Sequence, residues 1–516
     1  MPVSLAPTAG RGHRSDVVAG FAWTSFGRLL LQASNLVALT VTSRYISPAE
    51  FGLFAPPVIM ASLAYAVADG TFGTALLQRK TLEDDHVRSA FWASLLAALA
   101  VTAVFIVGAP VIERGFGFTG LAPVVAVSAL MLLPRVVAAV PQALLQRQMR
   151  FRELTTVTLV TSIAGRIAPT VALAIAGYGV WALVTGLVVQ MYFEAALLFW
   201  RAKPTLAWPA DWSRARDVVG FGGRVMAIQS LNQVASNVDN VIVGRLLGAT
   251  ALGFYSRVFA LMMLPVTLLG SSAQQVLFPQ FARLQDDRTT LRAQFYAAVD
   301  LVAALVLPLS AMLVIASDSL VLLVLGPSWT PAITPTRVLF GAVMLRIGCK
   351  VTDTLSIATG ALMPTLWRQA GYASFVALGT LVGSRWGLTG VTTGVAIALL
   401  LVYLWGLRSA AHLVGAEART LAILHLRGVA VAALAAGPAA LLSSLGGDDL
   451  GSRLAADAAA GTCFCAAMAF VMFLGPRALG GTSANLLRTQ AARLLRRARA
   501  SWAGFGPVAQ REEGLP

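Results

Sequence analysis

DVVGFGGRVMAIQSLNQVASNVDNVIVGRLLGATALGFYSR, residues 217–257, reads as one membrane-spanning run, a short turn and the start of the next helix. The same pattern stands 201 residues earlier without a gap. Asp16-Val17-Val18 matches Asp217-Val218-Val219, Gln32 matches Gln233, Arg44 matches Arg245, Gly52 matches Gly253 and Phe54 matches Tyr255. The chain is therefore two copies of one unit. A repeated bundle around a polar seam is the plan of a membrane transporter.

Composition agrees with that plan. Of 516 residues 57% are hydrophobic and 12% charged, with a mean hydropathy of +0.75. Soluble domains carry about a quarter charged residues, so most of this chain belongs in lipid. The net charge of +16 does not make a nucleic-acid stripe, because the basic residues lie between apolar runs and near the end of the chain. Cys349, Cys463 and Cys465 sit inside apolar runs, and Cys463 and Cys465 point to different faces of a helix. Neither a disulfide framework nor a metal site is expected. His13, His86, His412 and His425 read as residues of polar connections without metal-ligand spacing.

Runs of spanning length fall at 17–41, 52–77, 89–112, 121–145, 155–176 and 179–200. The second copy gives 218–243, 252–278, 295–315, 334–360, 366–384 and 387–407, and a further pair lies at 421–443 and 454–474. The expected architecture is an all-α integral membrane protein of fourteen transmembrane helices. A leader at 1–16 precedes an N-lobe of six helices at 17–200, and a linker at 201–217 leads to a C-lobe of six at 218–408. The two pseudo-symmetric lobes surround a central cavity, and a helix pair at 421–474 and a basic tail at 475–516 follow. The first run is too long for a secretory signal and has a counterpart in the second copy.

Lysine and arginine predict the orientation. With both ends inside, inner segments hold 26 basic residues against five in the outer turns, so both termini are expected in the cytoplasm. From Asn485 to Trp502, arginines interleave with leucines as an amphipathic helix suited to an anionic membrane surface.

No nucleotide motif drives the protein. The three lysines follow Arg79, Ala202 and Cys349, where a phosphate-cradling loop requires glycine. Gly115, Gly117 and Gly120 spell G-x-G-x-x-G, but in an outer turn with no strand before it. No cofactor is expected.

Charge inside the helices carries the chemistry. Thirteen residues qualify: Arg28, Arg135, Arg166, Arg224, Arg257, Arg337, Arg346, Lys350, Asp69, Glu194, Asp239, Asp300 and Asp353. Each costs about 2.5–3.5 kcal/mol at a lipid-facing helix centre, so most must face water or one another. Arg224, Glu194 and Arg337 lie near boundaries and can snorkel. Ser25, Arg28, Gln32 and Asn35 form one polar stripe, echoed by Gln229, Asn232, Gln233, Ser236 and Asn240 in the repeat. Arg135 recurs as Arg346 after 211 residues, with Lys350 and Asp353 on the same face. Two cations one turn apart suit a phosphate or pyrophosphate, although buried ion pairs that merely glue a bundle use the same residues. Arg28 and Asp69 fall at similar depth on antiparallel helices and are expected to approach. Asp239 and Arg257 are placed to form an ion pair at an outer gate.

At these residues the sequence resembles a family. ISPAEFGLF (46–54), DGTFGTALLQRK (69–80), PQALLQRQMRF (141–151), GYGVWALV (177–184) and NVDNVIVGRLLGATALGFYSR (237–257) are similar to polysaccharide flippases of the Wzx type. These belong to the multidrug/oligosaccharidyl-lipid/polysaccharide exporter superfamily, and the resemblance spans about residues 16–475. It implies a fourteen-helix fold with two lobes in a V around a cationic cavity. It also implies transport, from the inner to the outer leaflet of the bacterial plasma membrane, of an undecaprenyl-pyrophosphate-linked oligosaccharide. Polymerase and glycosyltransferases of the same pathway are implied partners. A multidrug cation antiporter shares the fold but should have an acidic cavity, whereas the helix interiors here hold eight basic residues against five acidic. A membrane polymerase or glycosyltransferase should have long outer loops, which the short turns do not supply. A non-transporting scaffold would tolerate loss of the cavity arginines.

Overall fold

A computed structural model describes residues 12–67, 76–77, 84–208, 233, 236–447 and 450–470. Expectations for the start of the leader, for Asp69 and Arg224, for most of the seventh run, for the end of the 201–217 linker and for the tail lie outside the described residues. The described residues are helical, with no strand among them. We label the helices α1 (Gly12–Tyr45), α2 (Pro48–Val67), α3 (Asp84–Phe116), α4 (Leu121–Arg147), α5 (Phe151–Ile175) and α6 (Val180–Ala202). Next come α7 (238–247), α8 (249–283), α9 (Arg288–Ile315) and α10, which runs as Ile333–Gly341 and Val343–Ala358. The last four are α11 (Leu362–Gly383), α12 (Gly387–Val414), α13 (Ala418–Ser444) and α14 (Leu450–Ala469). Among the described residues, eight helical stretches have the length and apolar composition to cross a membrane. Each expected run except the seventh falls on one of these labelled helices, and of the seventh only the last residues are described.

The repeat shows in the turns. Between α1 and α2, Ser47 and Glu50 form a capping box: the Ser47 hydroxyl and N–H both donate to the Glu50 carboxylate, at 2.8 Å each, and Pro48 opens the helix. In the second copy the position of Ser47 is Gly248, whose φ of +87° makes the turn through backbone freedom alone. One corner thus has two local solutions.

Proline shapes two helices. α4 breaks around residues 130–131 and at Ala138, three to four residues before Pro134 and Pro141. Each proline ring crowds the carbonyl one turn back and supplies no N–H. α5 widens into a π-helical segment, Thr161–Ile167, just before Pro169 for the same reason.

The chain divides into two compact units. The first holds residues up to Val258 with Leu320–Pro335 and Val376–Gly394. In it α5 and α6 meet over glycines, since a Cβ on Gly186 would overlap the Thr170 hydroxyl and one on Gly165 would press on Gln190. α11 and α12 cross at Gly379 and Gly383 against Gly394 and Gly390, two small-xxx-small pairs whose backbones touch. The second unit holds Phe259–Ser319, Thr336–Phe375 and Val395 onward. There α13 lies along α9, with Gly428 giving room to Leu307 and the Ala303 backbone.

Candidate functional site

Within the first unit, the two copies touch at the end of the helices that carries the 46–48 and 248–249 turns. Gly52 of α2 faces the Ala249 carbonyl, and Gly253 of α8 faces the Pro48 carbonyl. Trp329 is fully buried beside this crossing. Its ring stands edge-on to Phe51 and Phe254, each at 5.5 Å between centroids, and its indole N–H donates to the Ser43 carbonyl at 2.9 Å. Arg44 donates to the Leu323 carbonyl at 3.1 Å, and its repeat mate Arg245 reaches Gly117. The residues in the turns therefore carry the contact between copies.

The expected gate pair takes a different form here. Asp239 is 3% exposed and accepts a 2.6 Å hydrogen bond from the Tyr255 hydroxyl. Arg257 lies over the ring of Phe51, 4.1 Å from its centroid, instead of on Asp239. The reason is local: Tyr255 stands sixteen residues along and aims its hydroxyl at the carboxylate, while the aromatic cluster around Trp329 receives the guanidinium.

The polar stripe of α1 meets α5. Arg166, on the π-helical segment, donates to the Asn35 side-chain oxygen at 2.6 Å, and Gln32 is half-buried one turn away. Gln190 of α6 reaches the Ser162 hydroxyl of that segment at 3.2 Å. Gln233 donates to the Ser62 carbonyl of α2 at 3.3 Å, which joins the repeat stripe to the second helix. The Arg28 side chain and Asp69 lie outside the described residues, and so does their expected approach.

The repeated arginines share a chemistry. Arg135 is buried in the broken middle of α4, over the ring of Tyr65 at 4.1 Å, and donates to the Gln142 side chain at 3.0 Å. In the second unit Arg346 lies over the ring of Tyr372 at 4.8 Å. Both cations thus rest on a tyrosine face. Lys350, half-buried one turn on, reaches the Gln274 side-chain oxygen at 3.4 Å. Its stem runs past Gly270, the last residue of a second π-helical segment in α8; a Cβ there would come within 2.6 Å of it.

Asp353 accepts an ion pair from Arg368 of α11. Arg368 is 2% exposed; it falls in the 366–384 run, although the thirteen helix-interior charges do not include it. Its position eight residues past the Gly360 turn is the available signal. The charged side chains brought together on α10 and α11 are therefore Arg346, Lys350 and the Arg368–Asp353 pair. His86, His412 and His425 lie within α3, α12 and α13 and not in connections. In α13 the Nε2 of His425 is 2.7 Å from the Tyr403 hydroxyl and its Nδ1 2.7 Å from the Leu421 carbonyl. Among the described residues no cluster of histidine, cysteine and carboxylates could hold a metal.

A family model described as polysaccharide biosynthesis protein matches residues 41–334, more than half of the chain. The chain belongs to this family. A relative, the teichuronic acid biosynthesis protein TuaB of Bacillus subtilis, is 24% identical over 67% of this chain and 72% of its own length. The lipopolysaccharide biosynthesis protein WzxC of Escherichia coli is 25% identical over 64% and 68%. Among solved structures, the lipid II flippase MurJ in an inward closed conformation shares the fold, with a TM-score of 0.71 over 87% of this chain and 98% of that one, at 11% identity. This polysaccharide biosynthesis protein is thus a multi-pass membrane protein, helical in its described residues, with the fold of that solved structure.

Proposed function

We propose that this family member flips an undecaprenyl-pyrophosphate-linked oligosaccharide from the cytoplasmic to the outer leaflet of a bacterial inner membrane, for cell-surface polysaccharide assembly. The observation that carries this reading is the placing of Arg346 and Lys350 one turn apart on α10, beside the Arg368–Asp353 ion pair. A pyrophosphate is drawn to such a group, whereas a cationic drug is repelled. Membership in the family and the flippase fold support it.

In this mechanism Arg346 and Lys350 contact the pyrophosphate, the prenyl chain stays in the bilayer and the sugars occupy water. Arg28, Arg135 and Arg166, with Gln32 and Asn35 of the first copy and Gln233 of the second, supply further polar contacts. Both termini lie in the cytoplasm, so the 46–48 and 248–249 turns face outward and the crossing of Gly52 and Gly253 is the closed outer gate. An ion gradient, the membrane potential or consumption of product outside drives the cycle, and the protein is not itself an enzyme.

Reconstitution tests the reading. The purified protein in vesicles should move a defined undecaprenyl-pyrophosphate oligosaccharide between leaflets, measured by access of an external sugar-oxidising reagent. Movement of lipophilic cations against a proton or sodium gradient, without movement of the glycolipid, would make it an antiporter instead.

A further inference from the structure

Spans α12 and α13 do not close on one another at the end that carries the 415–417 turn. Between them lies a groove of about 980 Å³. Its walls include Leu400, Leu404, Leu426 and Val429, all with large exposed apolar surfaces, so it opens sideways where lipid surrounds the helices. Such a volume matches a pocket for a sizeable apolar ligand.

Polarity is distributed unevenly along it. The floor holds the Tyr403–His425 pair, and that pair is satisfied internally. The Leu421 carbonyl can only accept, so Nδ1 of His425 carries the proton and Nε2 accepts from the Tyr403 hydroxyl. No donor is left over for a ligand's polar group there. The mouth is different. Arg408 and His412 line it from α12, both exposed, and Arg292 of α9 donates to the Gly415 carbonyl on its rim at 3.2 Å. Glu417, in the turn beside the mouth, accepts from the Thr420 hydroxyl, while its backbone N–H donates to the Tyr296 hydroxyl oxygen. A long apolar trough with cations at one end, at the level where a helix leaves the membrane, has the charge pattern of a lipid with an anionic head.

We propose that this groove binds one anionic phospholipid of the surrounding membrane, with an acyl chain along the leucine wall and its phosphate at Arg408 and His412. The site is walled by α12 and α13 with Leu345 of α10, and neither Arg346 nor Lys350 lines it, so it does not rest on the flippase reading. It gives the membrane's own phospholipid a fixed place on the protein.

The full-length protein in mild detergent would be titrated with phosphatidylglycerol and phosphatidylcholine of identical chains, and retained lipid counted by native mass spectrometry. One phosphatidylglycerol should be held about fivefold or more in preference, the effect of roughly one basic contact. R408Q with H412Q, both at exposed positions, should abolish the preference while leaving the melting temperature unchanged. Ala422→Trp, which fills the trough, should reduce retention of both lipids. Equal retention of the two lipids by the parent protein would overturn the proposal. So would one-for-one displacement of phosphatidylglycerol by undecaprenyl phosphate, which would give the groove to the transported lipid.

Discussion

Gly52 and Gly253, equivalent residues of the two copies, make reciprocal contacts: a Cβ on the first would overlap the Ala249 carbonyl, and one on the second the Pro48 carbonyl. Ala249 and Pro48 are themselves equivalent, 201 residues apart. The crossing of α2 and α8 is therefore a local pseudo-twofold, and each glycine exists to let the other copy's backbone approach.

Alanine at either glycine must push two backbones apart, because neither contact is with a flexible side chain. Overpacking of this kind costs about 1–3 kcal/mol. Gly52→Ala and Gly253→Ala should each lower the melting temperature in detergent, and by similar amounts. They should also raise thiol labelling of a cysteine placed at Ile46, a buried residue of that turn. Unchanged stability and labelling in both variants would show that the approach is not tight.

The symmetry is broken one turn further along. Asp239 and Tyr255 hydrogen-bond in the second copy, while the equivalent residues in the first are Ala38 and Phe54. Tyr255→Phe leaves a buried carboxylate one donor short, which costs about 1–3 kcal/mol. Adding Asp239→Ala recreates the first copy's pairing and should recover most of that loss. Denaturation in detergent would measure both steps. If the double variant is less stable than the single, Asp239 has a more important partner than Tyr255.

How much of this was legible in sequence depended on range. The repeat, the helical runs and the recurrence of Arg135 as Arg346 are periodic signals that one strand of text carries. The Ser47–Glu50 cap could be read from its spacing. Partners chosen across helices could not: Asp239 has Arg257 at suitable depth and takes Tyr255, and Asp353 takes Arg368 from α11. Depth along a helix is set by residue number, but azimuth is set by breaks such as those before Pro134 and Pro141. Each break turns the following residues to a new face, so Arg135 finds Tyr65 by tertiary packing alone.

Outside the membrane, one titration is assigned. Asp287 caps α9, and its carboxyl is held below its usual range first by the Thr290 hydroxyl, then by the Thr290 and Thr289 backbone N–H groups. A depressed folded value means the cap's contribution is present above the unfolded value, near 4, and fades as pH falls through the folded one. Asp287→Asn keeps a capping side chain without the charge. The parent should therefore lose stability relative to D287N between pH 5 and about 3. A constant difference across that range would mean that Asp287 does not titrate below its unfolded value.

Arg346, Lys350 and Arg368 make the sharpest contrast, because all three are cations of one polar group with different duties. Arg368 is almost fully buried against Asp353, so Arg368→Leu removes one partner of an ion pair, a loss of about 3–5 kcal/mol when the other stays behind. That variant should fail by low membrane level. Arg346 rests on a tyrosine face and Lys350 on an amide, both half-buried, and their removal strands no carboxylate of the Asp353–Arg368 pair. Each supplies a charge-assisted contact to a pyrophosphate worth about 1.5–3 kcal/mol, and about 1.4 kcal/mol is a factor of ten. R346A with K350A should therefore reach normal membrane levels while glycolipid flipping in vesicles falls more than tenfold. Lys350→Arg should keep most of the activity, since charge is what the site uses. Normal transport by the double variant would end the assignment of the pyrophosphate to α10.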